Sequence, residues 1–301
     1  MSARASVIAA IRSFFADQGF LEVQTPLLTR APAPESSIDA FPVSRSGDTS
    51  DLYLVPSPEL HLKRLLAEGF EKIFQLGPVF RRGERGTHHV PEFTLVEWYR
   101  TGADYHKLMS DCEAMLRQAA SAAGWDHDEI RYQGRTISLA PPFPRITVND
   151  AFQMFAGWHP GPEPDPDRFD KDMVEKVEPA LPQDRACFLM DFPASCASMA
   201  RLKPSDRSVS ERVELYAGEL ELANGFSELT DPVEQAERFR REQSRRRGLG
   251  LPIYPWPGSF MNALEKCPES AGMAMGIDRL VMLLTDAAAI DQVLTFTPEE
   301  S

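Results

Sequence analysis

Four cysteines are spread over 301 residues, and no two of them form a CxxC pair. That spacing provides neither a zinc ligand set nor a disulfide framework. Cys112, Cys187, Cys196 and Cys267 therefore read as small buried hydrophobes in a chain suited to a reducing cytoplasm. No uncharged apolar run approaches the roughly 20 residues a membrane helix needs, so no membrane association is expected. Arg4 and Arg12 interrupt the N-terminal apolar stretch and no credible cleavage site follows, which argues for a helix over a signal peptide. Excess positive charge is also missing. The formal net charge of −13 gives no general attraction for nucleic acid. Internal repeats and long low-complexity tracts are absent, and so is the regular strand–helix alternation of a doubly wound parallel sheet.

What remains is an ordinary globular composition, 43% hydrophobic and 26% charged, long enough for one large domain with a sizeable core. Val7, Ile8, Ile11, Phe14 and Phe15 recur at helical spacing and predict a helix over 5–18, stopped by Gly19. "FLEVQTP" reads as a strand ending at Pro26, and 30–50 as a loop. In "SPELHLKRLLAEG", Ser57 is the expected N-cap, Pro58 the first turn and Gly69 the stop. A further helix is expected over 105–123, capped by Asp104. The proline-rich 157–168 reads as a surface insertion with no packed element. Strands dominate 186–229. Asp231 and Glu234 suggest a capping box, and the last helix begins near Gly276. The pattern predicts an α+β fold, an antiparallel sheet flanked by helices.

Three stretches concentrate chemistry. "FRRGERGTHHVPEFTLVEWY" reads as strand, loop, strand, and period-two alternation places Phe93, Leu95, Glu97 and Tyr99 on one face. If the two strands pair, Arg81 can lie near that ring and that carboxylate. In "VELYAGELELANGFSEL", a two-residue turn at Ala217-Gly218 would set Glu214 opposite Glu221. Opposed like charges are unfavourable on a sheet, and two hard carboxylates with retained waters suit Mg²⁺ near phosphates. A bend at Asn224-Gly225 would bring Asn224 and Glu228 to the same pocket. In "AGMAMGIDRL", Gly272, Ala274 and Gly276 allow close approach, and Arg279 falls in the first turn of a helix. That placement opposes the helix dipole unless an anion binds there.

"FFADQGFLEVQTP", "FRRGERGTHHVPEF" and "GMAMGIDR" resemble the three motifs of class II aminoacyl-tRNA synthetases. "SPELHLKRLL", "PEFTLVEWY" and "ELANGFSEL" narrow the resemblance to the lysyl branch, in the right order over nearly the whole chain. The sequence starts immediately before the first motif, so no N-terminal anticodon-binding barrel is expected, and Ala274 stands where lysyl-tRNA synthetases have glycine. Both features resemble the stand-alone elongation factor P–(R)-β-lysine ligases. On that basis 1–301 is expected to form a single catalytic domain.

The resemblance implies roles. Arg81 would hold the ATP α-phosphate and the substrate carboxylate, His89 would lie toward the β/γ-phosphates, and Phe93 would stack on adenine. Arg279 would clamp the γ-phosphate, with Glu84 also on the ATP side, although Gly83 stands where the family pattern has its acid and Val90 replaces an asparagine. Glu214 and Glu221 would carry Mg²⁺. Glu59 and Glu97 would face one substrate amino group, Tyr99 and Glu228 the ε-ammonium, with Asn224 at the carboxylate end and Ala274 beside them. (R)-β-lysine or lysine would be activated and passed to elongation factor P by a cytoplasmic homodimer without tRNA. A truncated lysyl-tRNA synthetase and a non-catalytic regulatory subunit are the alternatives. The first would draw on the basic run "RFRREQSRRRG", which also fits a solvated helix face.

Overall fold

The computed structural model describes residues 1–44 and 52–300. In chain order the elements are α1 (Ser2–Asp17), β1 (Leu21–Glu22), β2 (Leu28–Thr29), β3 (Pro42–Val43), β4 (Leu52–Leu54), α2 (Glu59–Ala67), β5 (Lys72–Phe80), β6 (Glu92–Thr101), α3 (Tyr105–Ala122), β7 (Glu129–Tyr132), β8 (Arg135–Ser138), β9 (Arg145–Thr147), α4 (Val148–Ala151), α5 (Pro166–Asp172), β10 (Cys187–Pro193), β11 (Leu202–Lys203), β12 (Asp206–Ala217), β13 (Leu220–Ser227), α6 (Pro232–Gly248), α7 (Gly258–Leu264), β14 (Ser270–Gly276) and α8 (Ile277–Leu284).

Nine strands form one sheet in the order β1-β5-β6-β14-β13-β12-β10-β9, with β11 on β12. The expected α+β fold is present. The sheet is antiparallel through its centre but mixed at its ends, because β1 joins β5 and β9 joins β10 in parallel.

Alternation along β6 divides the molecule. Val96 and Trp98 point into the main core, against Phe15 of α1 and the buried face of α3, while Glu97 and Tyr99 point to the other side, where α2 packs. Phe15 stacks on Phe74 with ring centroids 4.6 Å apart, which ties α1 to β5. Asp104 caps α3 as expected, accepting from the amides of His106 and Lys107.

Several local expectations are corrected. "FLEVQTP" supplies only the two-residue β1, because pairing with β5 ends after Glu22. Pro58 rather than Ser57 is the N-cap of α2. The Ser57 hydroxyl still accepts from the Glu59 amide at 3.0 Å. The 30–50 stretch contains β3, and its end from residue 45 lies outside the described residues. The proline-rich break gives way to α5, capped by Asp165 with Pro166 at its first position. Trp158 packs on the second core beside Phe152 and donates to Asp172 at 2.8 Å. Asp231 caps α6, but Glu234 binds Arg238 instead of closing a box. Cys112 and Cys187 are buried, while Cys196 and Cys267 are partly exposed.

Candidate active site

The site builds up on the face of β6, β14 and β13 away from the main core. The β5–β6 register pairs Val79 with Phe93, and Arg81 continues the ladder by donating its amide to Pro91 at 2.8 Å. Its guanidinium then lies 5.1 Å from the centroid of Phe93, a cation–π contact, and Nε reaches the carbonyl of Pro56 at 3.4 Å. The expected neighbourhood of cation and ring is therefore present. Gly83, at φ +82°, turns the loop so that Glu84 lies 3.7 Å from Arg81.

Arg279 sits in the first turn of α8. Its place at the positive end of the helix dipole calls for compensating negative charge, and the protein itself supplies it. Its nitrogens donate to the carbonyls of His88 at 3.2 Å and Glu221 at 2.8 Å, and the Glu221 carboxylate lies 3.5 Å away. Nη2 also meets Nε2 of His89. Burial and Arg279 both push the His89 imidazole below its usual range, while Glu84 and Glu221 pull it up. His89 thus touches Arg279 and feels the charge of Glu84, which in turn pairs with Arg81. The neighbouring Asp278 does not pair with Arg279. It binds Arg4 at 2.6 Å and the amide of Thr94 at 2.7 Å.

The β12–β13 hairpin differs from the expected register. The turn is Gly218-Glu219, both at positive φ as a tight two-residue hairpin requires, and Tyr216 rather than Glu214 faces Glu221. A bulge after Leu215 then sets Glu214 opposite Asn224. Leu222 and Ala223 both enter the core, so the bulge returns Glu221 and Asn224 to one face. Asn224-Gly225 itself stays in regular pairing, and alternation alone puts Asn224 and Glu228 on a common face.

Glu214 is already held. Arg212 donates to it at 2.6 Å, Tyr216 at 2.8 Å and Asn224 at 3.0 Å. Burial drives its carboxyl above the usual range, Arg212 opposes this and Glu221 adds to it. Among the described residues no group of three or more His, Cys, Asp or Glu side chains forms a closed metal site. The residues still fit a divalent ion partly ligated from outside. Two carboxylates repel each other, and the amide oxygen Oδ1 of Asn224 is buried without a hydrogen-bond partner.

The acid pocket lies between α2 and the sheet. Glu97 accepts from Ser57 at 2.6 Å and from the Tyr99 hydroxyl at 3.1 Å. Burial, then Glu59, push its carboxyl up to about 7. Ala274 stands in register with Glu97 on one side and Asn224 on the other. A Cβ at Gly272 would fall 2.1 Å from Tyr99 and 2.6 Å from Oε1 of Glu228, so only glycine admits both side chains.

Three residues here were not foreseen. Lys63 is buried between Glu59 and Glu228. Arg212 holds Glu214. Glu35, ahead of β3, accepts from Ser198 at 2.8 Å and lines a pocket with Pro56, Ser57 and Glu59. Burial, then Glu59, raise its carboxyl. A charged residue at helical spacing in α2 was visible; its partners from other elements were not.

The basic run of α6 is partly committed internally. Arg246 is fully buried and binds Asp39 together with the carbonyls of Glu35, Ile38 and Pro252, and Arg238 binds the carbonyls of Ser198 and Ala200.

A helix-flanked sheet, antiparallel through its centre and parallel at its ends, with two arginines and a buried acid pocket, has the catalytic fold of a class II synthetase. The profile of the class II tRNA synthetases (D, K and N) matches residues 1–300. Curated relatives include an elongation factor P–(R)-β-lysine ligase of Erwinia tasmaniensis, 39% identical over 98% of this chain and 93% of the relative. Proteins of the same name in Photorhabdus laumondii, with the same coverages, and in Vibrio parahaemolyticus, over 97% and 94%, are 37% and 38% identical. The chain belongs to the class II tRNA synthetases of the D, K and N type, in the branch of the elongation factor P–(R)-β-lysine ligases.

Proposed function

We propose that this chain is an AMP-forming ligase that activates (R)-β-lysine with ATP and transfers it to a lysine side chain of elongation factor P. The observation that supports the reading is that Arg81 lies near enough to Glu97 to favour its charge, and Glu97 shares a buried pocket with Glu59 and Glu228. In the first step a substrate carboxylate oxygen attacks the α-phosphorus, and the bond to pyrophosphate breaks. The reaction needs no general base here, because the nucleophile is already anionic. Arg81 would neutralise charge at the α-phosphate and orient the carboxylate, Arg279 and His89 would hold the distal phosphates, and Phe93 would stack on adenine. Mg²⁺ would be held by Glu214 and Glu221 and would supply further neutralisation of phosphate charge.

In the second step the acceptor amine, having lost a proton, attacks the acyl carbon and AMP leaves. Glu59 and Glu97 would meet the amino group near the carboxylate, and Glu228 with Tyr99 the ε-ammonium. Acids buried this deeply favour a diamino acid over a neutral one, since an uncharged ligand leaves them unpaired. Asn224 would assist at the carboxylate end.

Residues 1–301 would act as one catalytic unit in a homodimer. Exposed Leu21, within the first motif, and Leu27 and Leu28, just after it, support that surface. No helix among the described residues is long and apolar enough to cross a membrane. The test is ATP–pyrophosphate exchange with (R)-β-lysine and no tRNA, followed by weighing elongation factor P after incubation with all components. A strong preference for α-lysine would favour a truncated synthetase. No exchange with any amino acid would favour a regulatory subunit.

A further inference from the structure

The acid pocket contains an ammonium group of its own. Lys63 has a side chain only 1% exposed, and its Nζ donates to Oε1 of Glu59, one turn earlier on α2, at 2.6 Å. The same nitrogen lies against Oε2 of Glu228, at the end of β13, and 6.0 Å from the ring centroid of Phe226. The second oxygen of Glu228, Oε1, is buried with no hydrogen-bond partner and points into the space that Gly272 leaves by lacking a side chain. Lys63 therefore occupies one side of Glu228 and leaves the other open toward Tyr99. The titratable groups around the pair are Glu59, Glu97, Tyr99 and Cys267.

We propose that Lys63 is a positioning and specificity-determining residue, an internal counter-cation that orients Glu228 and favours its charged form before a diamino acid arrives. Three carboxylates share one internal ammonium, so the pocket offers more acids than cations to the two ammonium groups of the substrate. The physical reason is the cost of an isolated buried carboxylate. Removed from water beside Glu59, Glu228 would take up a proton and lose its attraction for a cation. Burial alone would lower the Lys63 ammonium, but Glu228 and Glu59 more than offset this and hold it above its ordinary value; burial and Glu59 push the Glu228 carboxyl up, and Lys63 opposes them. This inference rests on reading the pocket as the site for (R)-β-lysine.

The test compares wild type, Lys63→Arg and Lys63→Met by ATP–pyrophosphate exchange with (R)-β-lysine between about pH 6.5 and 9. In Lys63→Met, KM at neutral pH is expected to rise about tenfold or more and to fall again as pH rises, with kcat little changed. Lys63→Arg should keep the shallower profile of the wild type. A KM for Lys63→Met that is unchanged, or raised equally at every pH, overturns the proposal. Should Lys63→Met not fold, Lys63→Gln/Glu228→Gln is compared with Glu228→Gln alone. A KM no higher than that of Glu228→Gln supports action of Lys63 through Glu228, and a further rise in the double variant overturns it. If the wild type shows no exchange, the functional reading fails, and melting curves without ligand still test the charge argument. Lys63→Met should then lose stability more steeply than wild type as pH rises above the ordinary carboxylate range, because without the neighbouring ammonium its folded state holds the Glu228 proton more tightly. Parallel curves would overturn the proposal.

Discussion

Ala274 on β14 stands directly opposite Glu97 on β6, and its other neighbour in the sheet is Asn224. Its methyl group thus lies between the residues assigned to the amino and carboxylate ends of the substrate. Ala274→Gly removes that methyl and makes room for an amino group one carbon closer to the carboxylate. The kcat/KM ratio for α-lysine over (R)-β-lysine should rise by roughly tenfold, within the range a single methyl provides. Exchange assays with the two isomers measure it, and an unchanged ratio would remove Ala274 from the specificity determinants.

Glu97 makes the ligand-free protein sensitive to pH. Its folded carboxyl lies near 7 against an ordinary 4.5, because burial and Glu59 disfavour the charged form. The folded state therefore holds a proton that the unfolded state has released. Stability from this group is present at low pH and is lost as pH rises from about 4.5 to 7. Glu97→Gln should flatten that slope and be relatively more stable above pH 7, by at most roughly 3 kcal/mol. Urea melts of both proteins at acid and alkaline pH give the difference. Binding of a dication should show the opposite trend and weaken as pH falls below 7.

Gly272→Ala places a methyl within 2.1 Å of Tyr99 and 2.6 Å of Glu228. Both side chains sit in a packed pocket, so overpacking should destabilise the protein by roughly 1–3 kcal/mol. The same shift should raise KM for the amino acid while leaving KM for ATP nearly unchanged. Equal effects on both would place the damage elsewhere.

Arg81→Ala and Arg279→Ala should each reduce exchange by roughly a hundredfold or more while the protein stays folded. Arg279→Ala also relieves His89 of a neighbouring cation, so the imidazole should titrate closer to its ordinary value. Nuclear magnetic resonance of the ring protons checks this independently of activity.

Glu221→Gln should raise the Mg²⁺ concentration needed for half-maximal exchange without altering the Arg212–Glu214 contact. Glu214→Gln should have a second effect on stability, since Arg212 donates to that carboxylate at 2.6 Å. Titration of Mg²⁺ against exchange, together with melting curves, separates the two.

The sequence by itself determined the local elements and the motif residues. Helical spacing, Asp104 and Asp231 as caps, Gly19 as a stop and the alternation of β6 all act within a few residues of one another. Their physics needs no knowledge of the rest of the chain. For that reason Glu97, Tyr99, Arg81 and Phe93 could be placed together from "FRRGERGTHHVPEFTLVEWY". The tertiary structure decided whatever depends on register and on partners remote in sequence. A one-residue shift of the turn to Gly218-Glu219 and a bulge after Leu215 paired Glu214 with Asn224, and no alternation pattern encodes a bulge. Lys63 with Glu228, Arg212 beneath Glu214 and Glu35 facing Glu59 were likewise beyond reach. A buried charge must find its counter-charge wherever the fold delivers one, and that delivery is decided only when β13, β12 and the loop before β3 close over α2 and the sheet.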